Sequence, residues 1–176
     1  QNKGNYHFYL RNISVRWGNF DLKNLEQMRF EEYEEEHYEL KKGDLVICEG
    51  GEPGRCAIWK GQLPKMKIQK ALHRVRTKKS LSTSYLYNFI YYSSIIGSLE
   101  KYFTGTTIKH LTGRQLKNVS IPLPPIEEQN KVVEAIESRL SVADKMEESI
   151  NHSLQQAGAL RQSILKKAFE GRLVAL

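Results

Sequence analysis

Eight cations, Lys60, Lys65, Lys67, Lys70, Arg74, Arg76, Lys78 and Lys79, stand within twenty residues of one another. So dense a set of ammonium and guanidinium groups, in a sequence with enough apolar residues to fold, points to a polyanionic partner, most often nucleic acid. Downstream, the run from Lys101 to His110 sets an aromatic pair, Tyr102 and Phe103, before Thr106, Thr107, Lys109 and His110. Hydroxyls, an ammonium and an imidazole on one polar loop suit hydrogen bonds to phosphates and to base edges. Arg16 and Trp17, at the end of an expected strand, add a guanidinium and an indole. Arg55, at the tip of a glycine-rich loop, is placed to touch a nucleic-acid backbone. The bland alternative is a solvated basic surface with no partner.

Other chemistries lack their residues. The loop Gly50-Gly51-Glu52-Pro53-Gly54 has neither the Gly-Lys-Ser/Thr ending of a P-loop nor a Gly-x-Gly-x-x-Gly run. None of the five histidines stands at zinc-like spacing from Cys48 or Cys56. Those cysteines sit in apolar runs and are expected to be small core residues in a reducing compartment. The acids between Glu31 and Glu36 are nearly consecutive, which describes a solvated face rather than a metal site. No nucleophile elbow and no cofactor loop is present, so the expectation is no catalytic residue, no bound metal and no cofactor in this chain.

The 176 residues carry a net charge of +7 with 40% hydrophobic residues, which allows one domain plus an extended element. The charge is segregated. Residues 21–52 hold 11 acids and 4 bases, 60–117 hold 12 bases and one acid, and 126–176 are almost balanced. No apolar stretch is long enough to span a membrane. The start, Gln1-Asn2-Lys3-Gly4, has neither an initiator Met nor an apolar signal region. A fragment or processed chain is therefore expected.

The elements that must position these residues are mixed. Strands are expected at Phe8–Val15, Leu45–Cys48, Arg55–Trp59, Ile68–Arg76 and Val119–Leu123. The strand at 68–76 would set Lys70, Leu72, Arg74 and Arg76 on one face and Ala71, His73 and Val75 on the other. A charged helix or turn is expected over Arg29–Tyr38, with a turn following at Leu40–Asp44. A helix capped by Ser82-Thr83-Ser84 would run through Leu99 and bury Leu86, Phe89, Ile90, Ser93 and Ile96.

The sharpest boundary is Ile121-Pro122-Leu123-Pro124-Pro125, where three prolines halt the preceding structure. Pro125 suits a first helical turn, Glu127 and Glu128 complement its positive end, and Gly171 suits the C-terminal cap. A continuous helix between them has about 46 residues and a length of about 69 Å. Ile136, Ala143, Ile150, Ala157 and Ile164 recur every seven residues. A companion seam runs through Val132, Leu140, Met146, Leu154, Leu160 and Ala168. This heptad pattern predicts a coiled coil, with Gly158 a point where it bends.

Together these pieces resemble the specificity (S) subunit of type I restriction-modification enzymes. The motifs are Ile121-Pro122-Leu123-Pro124-Pro125-Ile126-Glu127-Glu128-Gln129 and the helix end Leu160-Arg161-Gln162-Ser163-Ile164-Leu165-Lys166-Lys167-Ala168-Phe169-Glu170-Gly171-Arg172-Leu173-Val174. Weaker matches are Tyr9–Ile13, Gly43–Ile47 and Gly105–Leu111. The resemblance implies an α+β fold, with a mixed α/β target recognition domain over 1–120 and, in 121–176, a proline junction and one long coiled-coil spacer helix. It implies the C-terminal half of a longer subunit, or a natural half-subunit that dimerises. It also implies that the chain reads one half of a bipartite site on double-stranded DNA in a prokaryotic cytoplasm. Methyltransferase (M) subunits would carry S-adenosylmethionine, and motor-nuclease (R) subunits would complete the complex.

On this reading Lys65, Lys67, Lys70, Arg74 and Arg76 hold phosphates, with Arg55 a further backbone contact. Thr106, Thr107, Lys109, His110, Arg16 and Trp17 lie near the bases. Ile136, Ala143, Met146, Ile150, Ala157, Leu160 and Ile164 hold a second spacer helix, from the same subunit or a second copy. Two other readings compete: a non-specific nucleic-acid-binding module with a homodimerising coiled coil, and the recognition domain of a lone methyltransferase.

Overall fold

A computed structural model describes residues 4–173. Gln1-Asn2-Lys3, on which the reading of the chain's start rests, and Val174, the last residue of the helix-end motif, lie outside the described residues. The chain divides into two compact units, Gln1–Val133 and Glu134–Leu176.

The first unit opens with β1 (Asn5–Leu10), which ends five residues before the expected Val15. A single 3-10 turn over Asn12–Ser14 breaks the strand there, and β2 (Val15–Arg16) pairs with β3 (Asn19–Phe20) as a tight hairpin. β4 (Glu26–Phe30) pairs antiparallel with β1, and α1 (Glu32–Tyr38) follows. β5 (Leu45–Cys48) lies between β6 (Cys56–Ile58) and β8 (Leu72–Val75) in an antiparallel three-stranded sheet. β7 (Lys67–Ile68) instead joins β1, in parallel. The single strand expected over 68–76 is thus two strands in two sheets, and Lys70 lies in the turn between them. Within β8 Leu72 and Arg74 alternate with His73 and Val75, and Arg76 follows the strand.

The unbroken apolar run of β5 has a simple cause. Val46 and Cys48 pack into one core cluster with Leu10, Phe20, Ala57, Trp59 and Leu72. Leu45 and Ile47 pack into another with Cys56, Leu86, Ile90, Leu99 and Leu111. A strand buried on both faces needs apolar residues at every position. α2 (Thr83–Ile95) supplies the second cluster, with the Ser82 hydroxyl accepting from the Tyr85 amide at its N-terminus. Leu86, Ile90 and Ser93 are buried as the spacing demands. Ile96 is not: the helix ends at Ile95, Gly97 takes a left-handed φ of 72°, and Ile96 is 53% exposed.

The charge segregation of the sequence resolves inside this unit. Lys67 is fully buried, and its ammonium donates to the Glu35 carbonyl (2.7 Å) and to Glu39 Oε2 (2.8 Å). Arg74 donates to the Glu39 carbonyl (2.6 Å) and the Glu36 carbonyl (3.2 Å). The last carbonyls of a helix have no intrahelical partner, and cations satisfy them best. Arg76 grips the buried Asp44 with two bonds of 2.7 Å. That bidentate pair, the first cause, holds the guanidinium pKa above its usual value. Of the expected phosphate contacts, Lys67 is therefore structural, while Arg74 is half-buried and Arg76, though bonded to Asp44, stays 45% exposed. Lys67 in particular is a core residue, because its only route to low energy in the interior is an acid and a carbonyl.

After α3 (Gly113–Leu116) no strand forms at Val119–Leu123, since the prolines at 122, 124 and 125 have no amide to give a ladder. α4 (Ile126–Phe169) begins one residue after Pro125, whose carbonyl accepts from the amides of Glu128 and Gln129. Gln129 is fully buried. Its Oε1 accepts from the Ser82 amide (2.9 Å), and its Nε2 donates to the carbonyls of Ser80 (2.9 Å) and Pro124 (2.8 Å). The carboxamide thus closes the start of α2, the proline junction and the first turn of α4 on one side chain.

The second unit is the rest of α4, helical without interruption through Gly158. It ends as a Schellman cap, with the amides of Gly171 and Arg172 bonded to the carbonyls of Ala168 and Lys167.

Replacing Lys67 by Met leaves Glu39 and the α1 carbonyls without their cation. Breaking a buried pair from one side costs about 3 kcal/mol. Urea unfolding followed through tryptophan fluorescence should show that loss; an unchanged midpoint would mean that the pair does not hold α1.

Candidate nucleic-acid interface

Strand register gathers the loops. β5 ends, and β6 and β8 begin, at one end of the three-stranded sheet, where Ile47 faces Cys56 and Cys48 faces Leu72. The loop 49–55 leaves from there. Its Glu49 amide donates to the Ala71 carbonyl (3.1 Å), and its Glu49 carbonyl accepts from the Leu111 amide (2.7 Å). The Gly50 carbonyl accepts from Asn12 Nδ2 (3.1 Å). The Cys56 carbonyl accepts from the Gly18 amide (3.0 Å). Four segments, 12–18, 49–55, 69–71 and 104–111, therefore meet at this end. Asp44, Trp59 and Arg76 mark the opposite one.

Two glycines fix the loops' shape. Gly54 has φ 94°, and a Cβ there would fall 2.4 Å from Leu99 Cδ2. Gly105 has φ 91°, and a Cβ would fall 2.1 Å from the Ile108 carbonyl oxygen. Thr104 and His110 exchange both backbone bonds at 2.8 Å, so residues 105–109 form a closed loop tip. Thr106, Thr107 and Lys109 are exposed on that tip, and His110 packs against Gly50. His73 Nε2 donates to the Leu111 carbonyl (2.7 Å) and steadies the loop from below.

Glu52 organises the other side. Its Oε1 accepts from the Trp17 indole (2.7 Å) and its Oε2 from Arg55 Nη1 (2.8 Å), while Arg55 Nη2 donates to the Asn12 carbonyl (2.9 Å). Trp17 also packs on Tyr91, with ring centroids 4.9 Å apart. Arg55 is only 15% exposed, so it locks the loop instead of standing free at its tip. Between the two loops lies a concavity of about 480 Å³ lined by Glu52, Phe103, Thr107 and Lys109, among others.

The sequence-derived candidates thus separate. Arg16, Trp17, Arg55, Thr106, Thr107, Lys109 and His110 belong to the loop end, with exposed Lys70 in the turn beside Ala71. Lys65 is exposed but precedes β7, away from that end. Lys67 is buried and paired with Glu39, and Arg74 and Arg76 are bonded within the unit, with Arg76 still exposed and at the opposite end of the sheet. Glu52 and Asn12 escape a reading of the sequence, and the only signal for Glu52 is an acid three residues before an arginine within a glycine loop.

Cys48 and Cys56 are free and buried, and burial pushes both thiols up, Cys56 strongly. Such thiols are poor nucleophiles and poor metal ligands. Among the described residues no group of three His, Cys, Asp or Glu side chains is arranged to hold a metal ion. No helix among them is long and apolar enough to cross a membrane.

In the second unit the heptad residues stand in the open. Met146, Ile150, Leu160 and Ile164 are 44–62% exposed, Ala143 and Ala157 are exposed, and Ile136 is half-buried.

Residues 1–156 match the family described as the type I restriction modification DNA specificity domain. The chain is 30% identical over 175 residues to the type I restriction enzyme EcoKI specificity subunit of Escherichia coli strain K12, covering 96% of this chain and 38% of that one. It is 28% identical to the EcoBI specificity subunit of Escherichia coli, covering 94% and 35%. It therefore spans little more than a third of these relatives. The fold is similar to a chain in a solved type I R-M structure, with a TM-score of 0.62 and 25% identity over 76% of this chain and 32% of that one. It is also similar to the HsdS subunit of Thermoanaerobacter tengcongensis, with a TM-score of 0.54 and 25% identity over 77% and 31%.

Proposed function

The chain belongs to the type I restriction-modification DNA specificity family, and from that premise we propose that its first unit reads one half of a bipartite DNA site. The observation that carries this reading is the loop end of the β6–β5–β8 sheet. There Arg16, Trp17, Thr106, Thr107, Lys109 and His110 are brought together by register and by glycine-shaped loops, while Lys67, in the densest run of cations, is buried against Glu39. Lys70 supplies a phosphate contact that helps to set the register of the protein on the duplex, while Lys109 and Arg16 reach toward the bases. Trp17 and the hydroxyls of Thr106 and Thr107 face base edges. Arg55 keeps the loop in shape for them. Fixed loops on a rigid sheet reduce the ordering cost of binding.

The helix has the complementary task. Its apolar seam through Ile136, Ala143, Met146, Ile150, Ala157, Leu160 and Ile164 pairs with a second spacer helix, from the same subunit or a second copy. The pair scaffolds M subunits, which bring S-adenosylmethionine and transfer the methyl group, and R subunits, which complete the restriction complex. This chain contributes recognition and scaffolding, and the chemistry is its partners'. On this proposal the chain works on DNA in a prokaryotic cytoplasm.

Two outcomes test this. Lys70→Glu should weaken binding of the assembled complex to its site at least tenfold, and the slope of log affinity against log salt should fall by about 0.9 for each phosphate no longer neutralised. Lys65→Glu should leave both nearly unchanged; the reverse pattern would move the interface away from the loop end. Ile150→Asp puts a charge in the helix seam. Sedimentation should then show the association of this chain abolished with the recognition unit still folded, and an identical oligomer in both proteins would count against the coiled coil.

A further inference from the structure

A carboxylate is an unwelcome group on a surface that meets phosphates, and Glu52 sits on such a surface. It is about half exposed, at 49%, and lines the concavity opposite Lys109. Each of its oxygens is engaged once, by Trp17 at 2.7 Å and by Arg55 at 2.8 Å. A carboxylate oxygen has two lone-pair sites, so each oxygen keeps one acceptor position. The Arg55 anchor on the Asn12 carbonyl and the Trp17 packing on Tyr91 stop the group from swinging. The result is a preoriented acceptor on a concavity that Lys109, on the other loop, also lines.

That pairing matches one feature of duplex DNA. In the major groove cytosine presents an N4 donor, which a carboxylate accepts, and guanine presents O6 and N7, which a lysine reaches. We propose that Glu52 is a specificity-determining residue that accepts from a cytosine N4 amine while Lys109 donates to the paired guanine, so that the two loops read one C·G pair together. This rests on the reading that the loop end faces DNA. A thymine there would set its O4 against the carboxylate, acceptor to acceptor. Arg55 offsets the charge of Glu52 toward the backbone, and the Trp17 bond selects the orientation of the carboxyl plane.

The test is methylation by the assembled complex on a duplex library randomised across the recognition positions, read by sequencing. Glu52→Gln keeps the size of the side chain but adds a donor. It should relax one base pair, with discrimination against T·A there falling about tenfold, and leave every other position intact. Lys109→Gln should relax the same pair. Glu100→Gln changes an acid on the same concavity that lacks the double clamp, and it should leave the sequence unchanged. A uniform loss across all sequences with Glu52→Gln, no methylation at all, or relaxation at different pairs by the two variants would overturn the proposal, making Glu52 only a brace for its loop. Trp17, Glu52 and Lys109 variants that all keep the parent's site and affinity would instead remove DNA from this end altogether, a failure of the functional reading itself.

Discussion

The ammonium of Lys67 lies in the interior with no water to solvate it, so it must find an acid and a carbonyl there. Glu39 and the C-terminal end of α1 answer that demand, and Arg74 completes the same helix end. That one constraint docks α1 on the strands, and it ties Glu39 of the acidic stretch to Lys67 of the basic one. The neighbouring Lys60, Lys65, Lys70, Lys78 and Lys79 stay exposed, so burial singles out one cation of the run and leaves the others on the surface.

A second constraint governs the transition from globular unit to rod. A proline-rich segment has few amides to offer, so the chain between α3 and α4 cannot be held by a ladder. Gln129 supplies what the prolines lack, committing its carboxamide to Ser80, Ser82 and Pro124. This explains why the Pro-Pro-Ile-Glu-Glu-Gln run carries a glutamine at that place. A hydrocarbon there would leave an amide and two carbonyls unpaired, and a carboxylate would lose both donated bonds. Beyond Val133 most apolar residues of the heptad pattern, Met146, Ile150, Leu160 and Ile164 among them, are exposed.

Much of this is legible in the residues. Periodicity and end signals locate α4 almost to the residue, because 3.6-residue spacing, Pro125 and Gly171 all agree on its limits. The double burial of β5 is visible as an unbroken Leu-Val-Ile-Cys run. The misreadings have a common origin in pairings that only tertiary structure decides. Ile68–Arg76 reads as one strand, yet Ile68 pairs with Leu10 while Leu72 pairs with Cys48 in a different sheet. Lys67 reads as a surface cation because composition shows a charge but not its partner. Glu52 is invisible for the opposite reason: its worth lies in bonds with residues 35 positions before it and three after it.

The claim on which the rest turns is that the first unit alone specifies sequence. The direct measurement is base-resolution methylation mapping in cells whose type I enzyme carries residues 1–120 of this chain grafted into a related S subunit, with the Pro122–Pro125 junction kept. The expected result is a change in one half of the methylated site, with the other half and the spacing between them unaltered. A chimera that assembles and methylates at the parent's original site would contradict it.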